Sequence, residues 1–291
     1  MTGASIGDEG AGADLPPPPP PPPPPARISA RLDPGEFRRD SVETKTSPSS
    51  NAFSLRVAKH GSAIEECEDA VAVDPTRGVL AVADGASSSF DAQQWARALV
   101  GRFVQGPPKP LSVAAFSRWL DDARRHTAVP DAADDDDPNG WWSEQGVRHG
   151  AFATITGVAI GVDGVDRVAT IMCLGDSCAF VLTGAIGDRQ IRRAIPYDDA
   201  SQFGSHPSLL RSQSGRPHDD PLWASVPLVT DDLIVATTDA VGEWLLADRT
   251  RFTIFDALSV DDLARHLVDE RTEGRIVNDD LTVAVLRVES S

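Results

Sequence analysis

Acidic residues recur at the tips of the apolar runs in this chain. The segment VLAVADGASSS (79–89) carries a buried-strand pattern straight into Asp84 and then Gly85. Asp176 follows TIMCLG, Asp239 ends LIVATTD, Glu68 and Asp69 open EDAVAV, and Asp279 and Asp280 open DDLTVAV. A single aspartate at a strand end is a turn or cap residue and asks for no chemistry. Five strands marked in this way form a pattern, because antiparallel pairing sets the start of one strand beside the end of its neighbour. Carboxylates gathered at one edge cannot all stay ionised without a counter-charge, since like charges a few ångströms apart raise one another's pKa. With oxygen ligands and no His or Cys among them, the fitting counter-charge is a hard divalent cation, Mg2+ or Mn2+. Gly85, having no side chain, lets its carbonyl approach an ion closely.

The elements that must position these residues can be read from periodicity. FSLRVA (53–58), DAVAVD (69–74) and VLAVAD (79–84) are strand-like, and the turn at Pro75–Gly78 joins the last two as a hairpin. Trp95, Leu99 and Phe103 recur at helical spacing in 91–104, with Ser88, Ser89 or Asp91 as its cap. Ser112 caps a second helix over 112–126. Strands follow at 151–161, 167–175, 178–183 and 190–195, then an aperiodic insertion rich in Pro, Ser, Gly and His at 196–222. LIVATT (233–238) is a strand, 240–247 a short helix, 259–273 an amphipathic helix capped by Ser259, and LTVAVLRV (281–288) the last strand. Hairpin-spaced strands with helices grouped between them predict antiparallel sheets covered by helices, an α+β fold rather than an alternating parallel sheet.

Composition bounds the rest. Of the 291 residues, 1–48 contain few large apolar residues and an unbroken proline run, Pro16–Pro25. Such a run favours polyproline II, so 1–48 reads as a disordered tail and 49–291 as one domain. The tail could dock in a proline-recognition groove, although a spacer role is the simpler reading. The net charge of −17 argues against nucleic-acid partners, because an acidic surface repels phosphates. Cys67, Cys173 and Cys178 are too few to pair fully and read as reduced, buried thiols in a cytosolic protein. The N-terminus has no signal-peptide pattern, and no apolar run reaches membrane-spanning length. The four-aspartate segment at 131–140 lacks the glycine and terminal Glu of a calcium loop and reads as solvated. His60, His149, His206 and His218 are isolated histidines in polar surroundings, for which a surface role is the simpler reading.

CEDAVAV, VADGAS, LGDSCAFVL, TTDAVGEWLL and NDDLTVAVL stand in the order and spacing of the metal-dependent, 2C-type serine/threonine protein phosphatases. The chain resembles a divergent, bacterial-type member of that family over about 53–288. The resemblance implies a four-layer αββα sandwich of two antiparallel sheets with a two-metal centre at one edge. It implies that Asp84 bridges both ions, that Gly85 and Glu68 serve one of them, and that Asp69 holds metal-bound water. Asp239 and Asp279 would serve the other ion, and Asp176 a third, weaker one. The implied reaction is hydrolysis of phosphoserine or phosphothreonine in proteins by a hydroxide bridging two Mg2+ or Mn2+ ions. No cysteine nucleophile is needed, so Cys178 should be dispensable.

Several positions depart from the family pattern. Ile64 stands where many relatives carry a phosphate-binding arginine, which leaves that role to another cation such as Lys59 or Arg148. Ala86, Cys178, Ala240 and Asp280 are also unusual, though none removes a metal ligand. Two competing readings follow. One is a phosphatase-like domain that binds phosphoproteins without turning them over. The other is an acidic β-sandwich whose aspartates are only turn residues.

Overall fold

Each central strand is apolar on both faces, and three stacked apolar layers account for this. The computed structural model describes residues 41–47, 51–108, 112–127, 150–204, 206–213 and 218–289. One sheet runs in the order β1 (Val42–Thr46), β2 (Ala52–Val57), β13 (Leu281–Arg287), β12 (Leu233–Thr237), β8 (Cys178–Thr183) and β9 (Gln190–Ile195). The other runs β11 (Leu222–Leu228), β7 (Asp166–Leu174), β6 (Ile155–Asp163), β4 (Val79–Ala83) and β3 (Ala70–Asp74). All these pairings are antiparallel. A two-stranded ribbon joins β5 (Phe152–Ala153) to β10 (Leu210–Arg211).

Alternation along the strands feeds the layers. Leu80 and Val82 of β4 join Val158, Ile171, Val181, Ile234 and Leu286 in an apolar layer between the two sheets. Ala81 and Ala83 face the opposite way, onto α1 (Ala92–Gln105) and α2 (Val113–His126), whose Trp95, Leu99, Phe103, Phe116 and Leu120 are buried there. On the far side, Leu233, Val235, Leu281 and Val283 pack against α3 (Asp239–Ala247) and α5 (Val260–Thr272), with α4 (Ile254–Ala257) between these helices in sequence. The architecture is therefore the four-layer αββα sandwich that the sequence implies.

The helix caps hold at two of three sites. The hydroxyls of Ser112 and Ser259 accept from the amides of Ala115 and Asp262. At α1 the cap position is Asp91, which takes φ 57° and makes no side-chain cap bond. Ser89 is occupied elsewhere, accepting from the Phe152 amide and donating to the Ala86 carbonyl.

The structure differs from the sequence reading in three places. Residues 42–46, assigned above to the tail, form strand β1, paired with β2 from Val42↔Val57 to Thr46↔Phe53. The tail boundary at 48 is therefore too late. Val42, Thr44 and Thr46 alternate with Glu43 and Lys45, an edge-strand pattern that looks polar when read alone. LWASVPL (222–228), of which the sequence reading places only Leu222 in the insertion and gives the rest no element, is strand β11. Its Pro227 is tolerated because β11 is the last strand of its sheet, bonded only to β7. Helical turns at Arg249–Thr253 and α4 were likewise missed. The proline run, the 131–140 aspartates, Arg148 and His149 lie outside the described residues.

Candidate metal centre

Register brings the acidic strand tips together. Ala70 pairs with Ala83, which sets Asp69 and Asp84 side by side at the edge of one sheet. In the other sheet Thr237 pairs with both Val283 and Cys178, so Asp239, Asp279 and Asp176 emerge at neighbouring tips. Val57 pairs with Leu281, which brings the segment from Lys59 to Glu68 to the same edge.

The main chain of this edge is fixed by hydrogen bonds. Asp280, buried and unassigned by the sequence, accepts from the Lys59 amide at 2.7 Å and the Glu68 amide at 2.8 Å. Asp279 and Asp280 are adjacent yet divide the work, since the Asp279 charge acts on Asp84, Asp176 and Asp239 while Asp280 anchors the main chain. The Asp84 amide donates to Thr154 Oγ1 at 3.2 Å, and the Asp84 carbonyl accepts from the Thr154 amide at 2.9 Å. Thr154 Oγ1 lies 2.6 Å from Ser177 Oγ, which ties the Asp84 tip to the residue after Asp176. Thr238 Oγ1 donates to Asp69 Oδ2 at 2.8 Å, joining the tips of the two sheets. Glu68 Oε2 accepts from Lys59 Nζ at 3.3 Å and from the Ser87 hydroxyl. Gly85 sits where a Cβ would lie 2.7 Å from the Glu68 carbonyl oxygen, so only glycine lets these two segments close up.

The electrostatics follow from this crowding. Burial pushes the Asp84 carboxyl well above the usual range, and the charges of Asp239, Asp176 and Asp279 push it further. Burial does the same to Asp69, aided by Asp84 and Asp280 and opposed by the Thr238 hydroxyl. Asp176 is raised to about 7 by burial and then by Asp239. Burial also raises Asp239 and Asp279, and Lys59 only partly offsets the second. Each of these carboxylates has its ionised form destabilised by burial and by at least one neighbouring charge, which is the condition a bound cation relieves.

The residues fit hard divalent ions. The donors are all oxygen, and Asp176 Oδ1 is buried without a hydrogen-bond partner among the described residues. No three His, Cys, Asp or Glu side chains among the described residues are grouped closely enough to hold an ion between them. The carboxylates instead stand at neighbouring strand tips and act on one another through their charges. Of the positions expected from the sequence, Asp69, Asp84, Asp176, Asp239 and Asp279 lie close enough for one charge to act on another, Glu68 acts in the same way on Asp279, and Gly85 packs against the Glu68 carbonyl. Asp280, Ser87 and Thr238 were missed as contributors. Thr238 could have been suspected from its place directly before Asp239, whereas nothing in the sequence marks Ser87 within its run of serines. His60 and His206 are exposed, and His218 packs edge-on against Phe116.

Comparison with solved structures decides what this arrangement belongs to. The photosystem II phosphatase PBCP matches with a TM-score of 0.56 at 19% identity, covering 86% of this chain and 100% of that one. The Mycobacterium tuberculosis serine/threonine phosphatase PstP/Ppp matches at 0.53 and 14%, covering 86% and 99%. The catalytic domain of PstP in complex with two manganese ions matches at 0.53 and 16%, covering 82% and 99%. This chain has the PPM serine/threonine phosphatase fold. Neither the protein-family models nor the curated proteins give a match. The fold is thus shared at low sequence identity, and register brings acidic tips of both sheets to one edge. No helix among the described residues is long and apolar enough to cross a membrane.

Proposed function

We propose that this protein is a divalent-metal-dependent protein serine/threonine phosphatase. The observation that carries the reading is the set of carboxylates at one sandwich edge, each pushed upward by burial and by its neighbours. A structural role would pair such groups with Arg or Lys, as the fold does elsewhere. The phosphatase fold and the two manganese ions in PstP support the same reading.

Two Mg2+ or Mn2+ ions, when bound, supply an activated water to attack phosphorus and positive charge for the phosphoryl oxygens. Asp84 would serve both ions, Glu68 and the Gly85 carbonyl one of them, and Asp239 and Asp279 the other. Asp176 would serve a third, weaker position. Asp69, whose Oδ2 accepts from the Thr238 hydroxyl, would hold metal-bound water. The substrates are phosphorylated proteins, and the compartment is the cytosol. The tail 1–48, shortened by the residues of β1, is a spacer, with Pro16–Pro25 open to a proline-recognition partner.

The test is hydrolysis of a phosphothreonine peptide by purified full-length protein with and without Mn2+, for the wild type and Asp239→Asn. Mn2+-dependent turnover lost in the variant is expected. A folded wild type that takes up Mn2+ and binds the peptide without turnover would instead make this a phosphoprotein-binding module.

A further inference from the structure

Three cations border the carboxylate edge among the described residues, and they are not equivalent. Arg56 is buried behind the site, donating to the Asp69 carbonyl at 2.9 Å and pairing with Glu43. Arg271 is buried as well, its Nη1 donating to the carbonyls of Ala58 at 2.9 Å and Asp279 at 3.0 Å. Both guanidinium groups are committed, Arg56 to the Glu43 carboxylate and one main-chain carbonyl and Arg271 to two main-chain carbonyls. Lys59 alone of the three carries an open head group, with a side chain 34% exposed and a single acceptor at 3.3 Å.

The position of Lys59 does not depend on that acceptor. Asp280 clamps the Lys59 amide with one oxygen and the Glu68 amide with the other, so both residues are fixed to the same buried carboxylate. The His60 amide, next along, donates to Asn278 Oδ1 at 2.8 Å. On the other side, Gln93 Nε2 holds the Glu65 and Cys67 carbonyls, each at 2.6 Å. The Lys59 stem therefore springs from a rigid platform at the rim of the centre. A Glu68 carboxylate that gives its oxygens to a cation has less charge left for the ammonium. The ammonium's three donors then turn to the next anion to reach the centre.

We infer that Lys59 is the phosphate-binding cation of this centre, a substrate-positioning side chain placed there by the Asp280 clamp. The inference rests on the phosphatase reading above. It assigns to Lys59 the phosphoryl group of a phosphoserine or phosphothreonine substrate, and of the inorganic phosphate released.

The experiment uses full-length protein as wild type, Lys59→Ala, Lys59→Gln and Lys59→Arg. It measures Mn2+ uptake by calorimetry, inorganic phosphate affinity of the Mn2+-loaded protein, and KM and kcat on a phosphothreonine peptide. Lys59→Ala and Lys59→Gln should weaken phosphate binding and raise KM by about tenfold or more, the loss of one charged hydrogen bond. Mn2+ uptake should stay at the wild-type level or tighten, because Glu68 loses a competitor. Lys59→Arg keeps the charge and should recover phosphate affinity to within about threefold. Unchanged phosphate affinity and KM in Lys59→Ala would overturn the assignment and leave the phosphatase reading intact. Mn2+ uptake lost in step with phosphate binding, without recovery in Lys59→Arg, would make Lys59 a prop for Glu68 and overturn it too. A wild type that takes up no Mn2+ and hydrolyses no peptide removes the phosphatase reading and this inference with it.

Discussion

The two ends of the sandwich treat buried carboxylates in opposite ways. At the end where β13 finishes, Asp256 is nearly inaccessible, yet it meets Arg189 at 2.7 Å and 3.0 Å, Arg287 at 2.9 Å and the Gly187 amide at 3.2 Å. Burial alone would raise it, but these donors win and hold its carboxyl at about 2. At the end where β13 begins, Asp176 is similarly buried and is raised to about 7, with one oxygen unpartnered. Burial is thus common to both and acts upward on both, so it does not explain why they differ. The difference is the partner: Asp256 meets two guanidinium groups, whereas Asp176 meets the like charges of Asp239 and Asp279.

Substitutions can break this contrast. Asp84→Asn should abolish Mn2+-dependent turnover by about 1000-fold or more, some 4 kcal/mol in the barrier, while the metal-free protein stays folded in a thermal melt. Asp256→Ala should do the reverse, leaving Mn2+ uptake in place but lowering stability by about 3 kcal/mol, since Arg189 and Arg287 are left unpaired. Denaturant titration reads that loss.

The pH dependence sharpens the same comparison with opposite signs. Asp176 titrates near 7 in the fold against 3.8 ordinarily, so between those values the folded protein keeps a proton that the unfolded chain has lost. Metal-free stability should therefore fall as pH rises from about 4 to 7, and Asp176→Asn should recover between about 1 and 3 kcal/mol at pH 7 and nothing at pH 4. Asp256 has its pKa lowered from 3.8 to about 2, so its contribution is complete above pH 4 and disappears as pH falls through 2. That contribution is about 2 kcal/mol, measurable as the extra acid-limb slope that Asp256→Asn removes. The smallest effect is expected at Cys178, a fully buried thiol beside the Asp176 tip. Cys178→Ala should cost about 1 kcal/mol of stability through lost packing and leave kcat within error.

Much of the fold was legible because the central strands are apolar enough to show through any noise. Residues 79–83, 178–182, 233–237 and 281–286 are buried on both faces, and the caps Ser112 and Ser259 mark where helices start. The edge strands were not legible. β1 and β11 each bury little, carry charge or proline, and depend for their existence on the neighbour they bond to. The candidate centre was legible as a list of acidic tips and illegible as a division of roles. Asp279 and Asp280 are adjacent and chemically identical, yet the charge of Asp279 acts on Asp84, Asp176 and Asp239 while Asp280 is a buried clamp on Lys59 and Glu68.

The sequence alone determined which residue types reach the ends of the strands, because strand period and hydrophobic run length are local properties. Only the tertiary structure decided that these ends share one edge, that Lys59 rather than Arg56 or Arg271 keeps an open head group there, and that Asp256 is paired while Asp176 is not. Those outcomes depend on register between strands far apart in the chain, and a charge's energy depends on what stands within a few ångströms of it rather than on its neighbours in sequence.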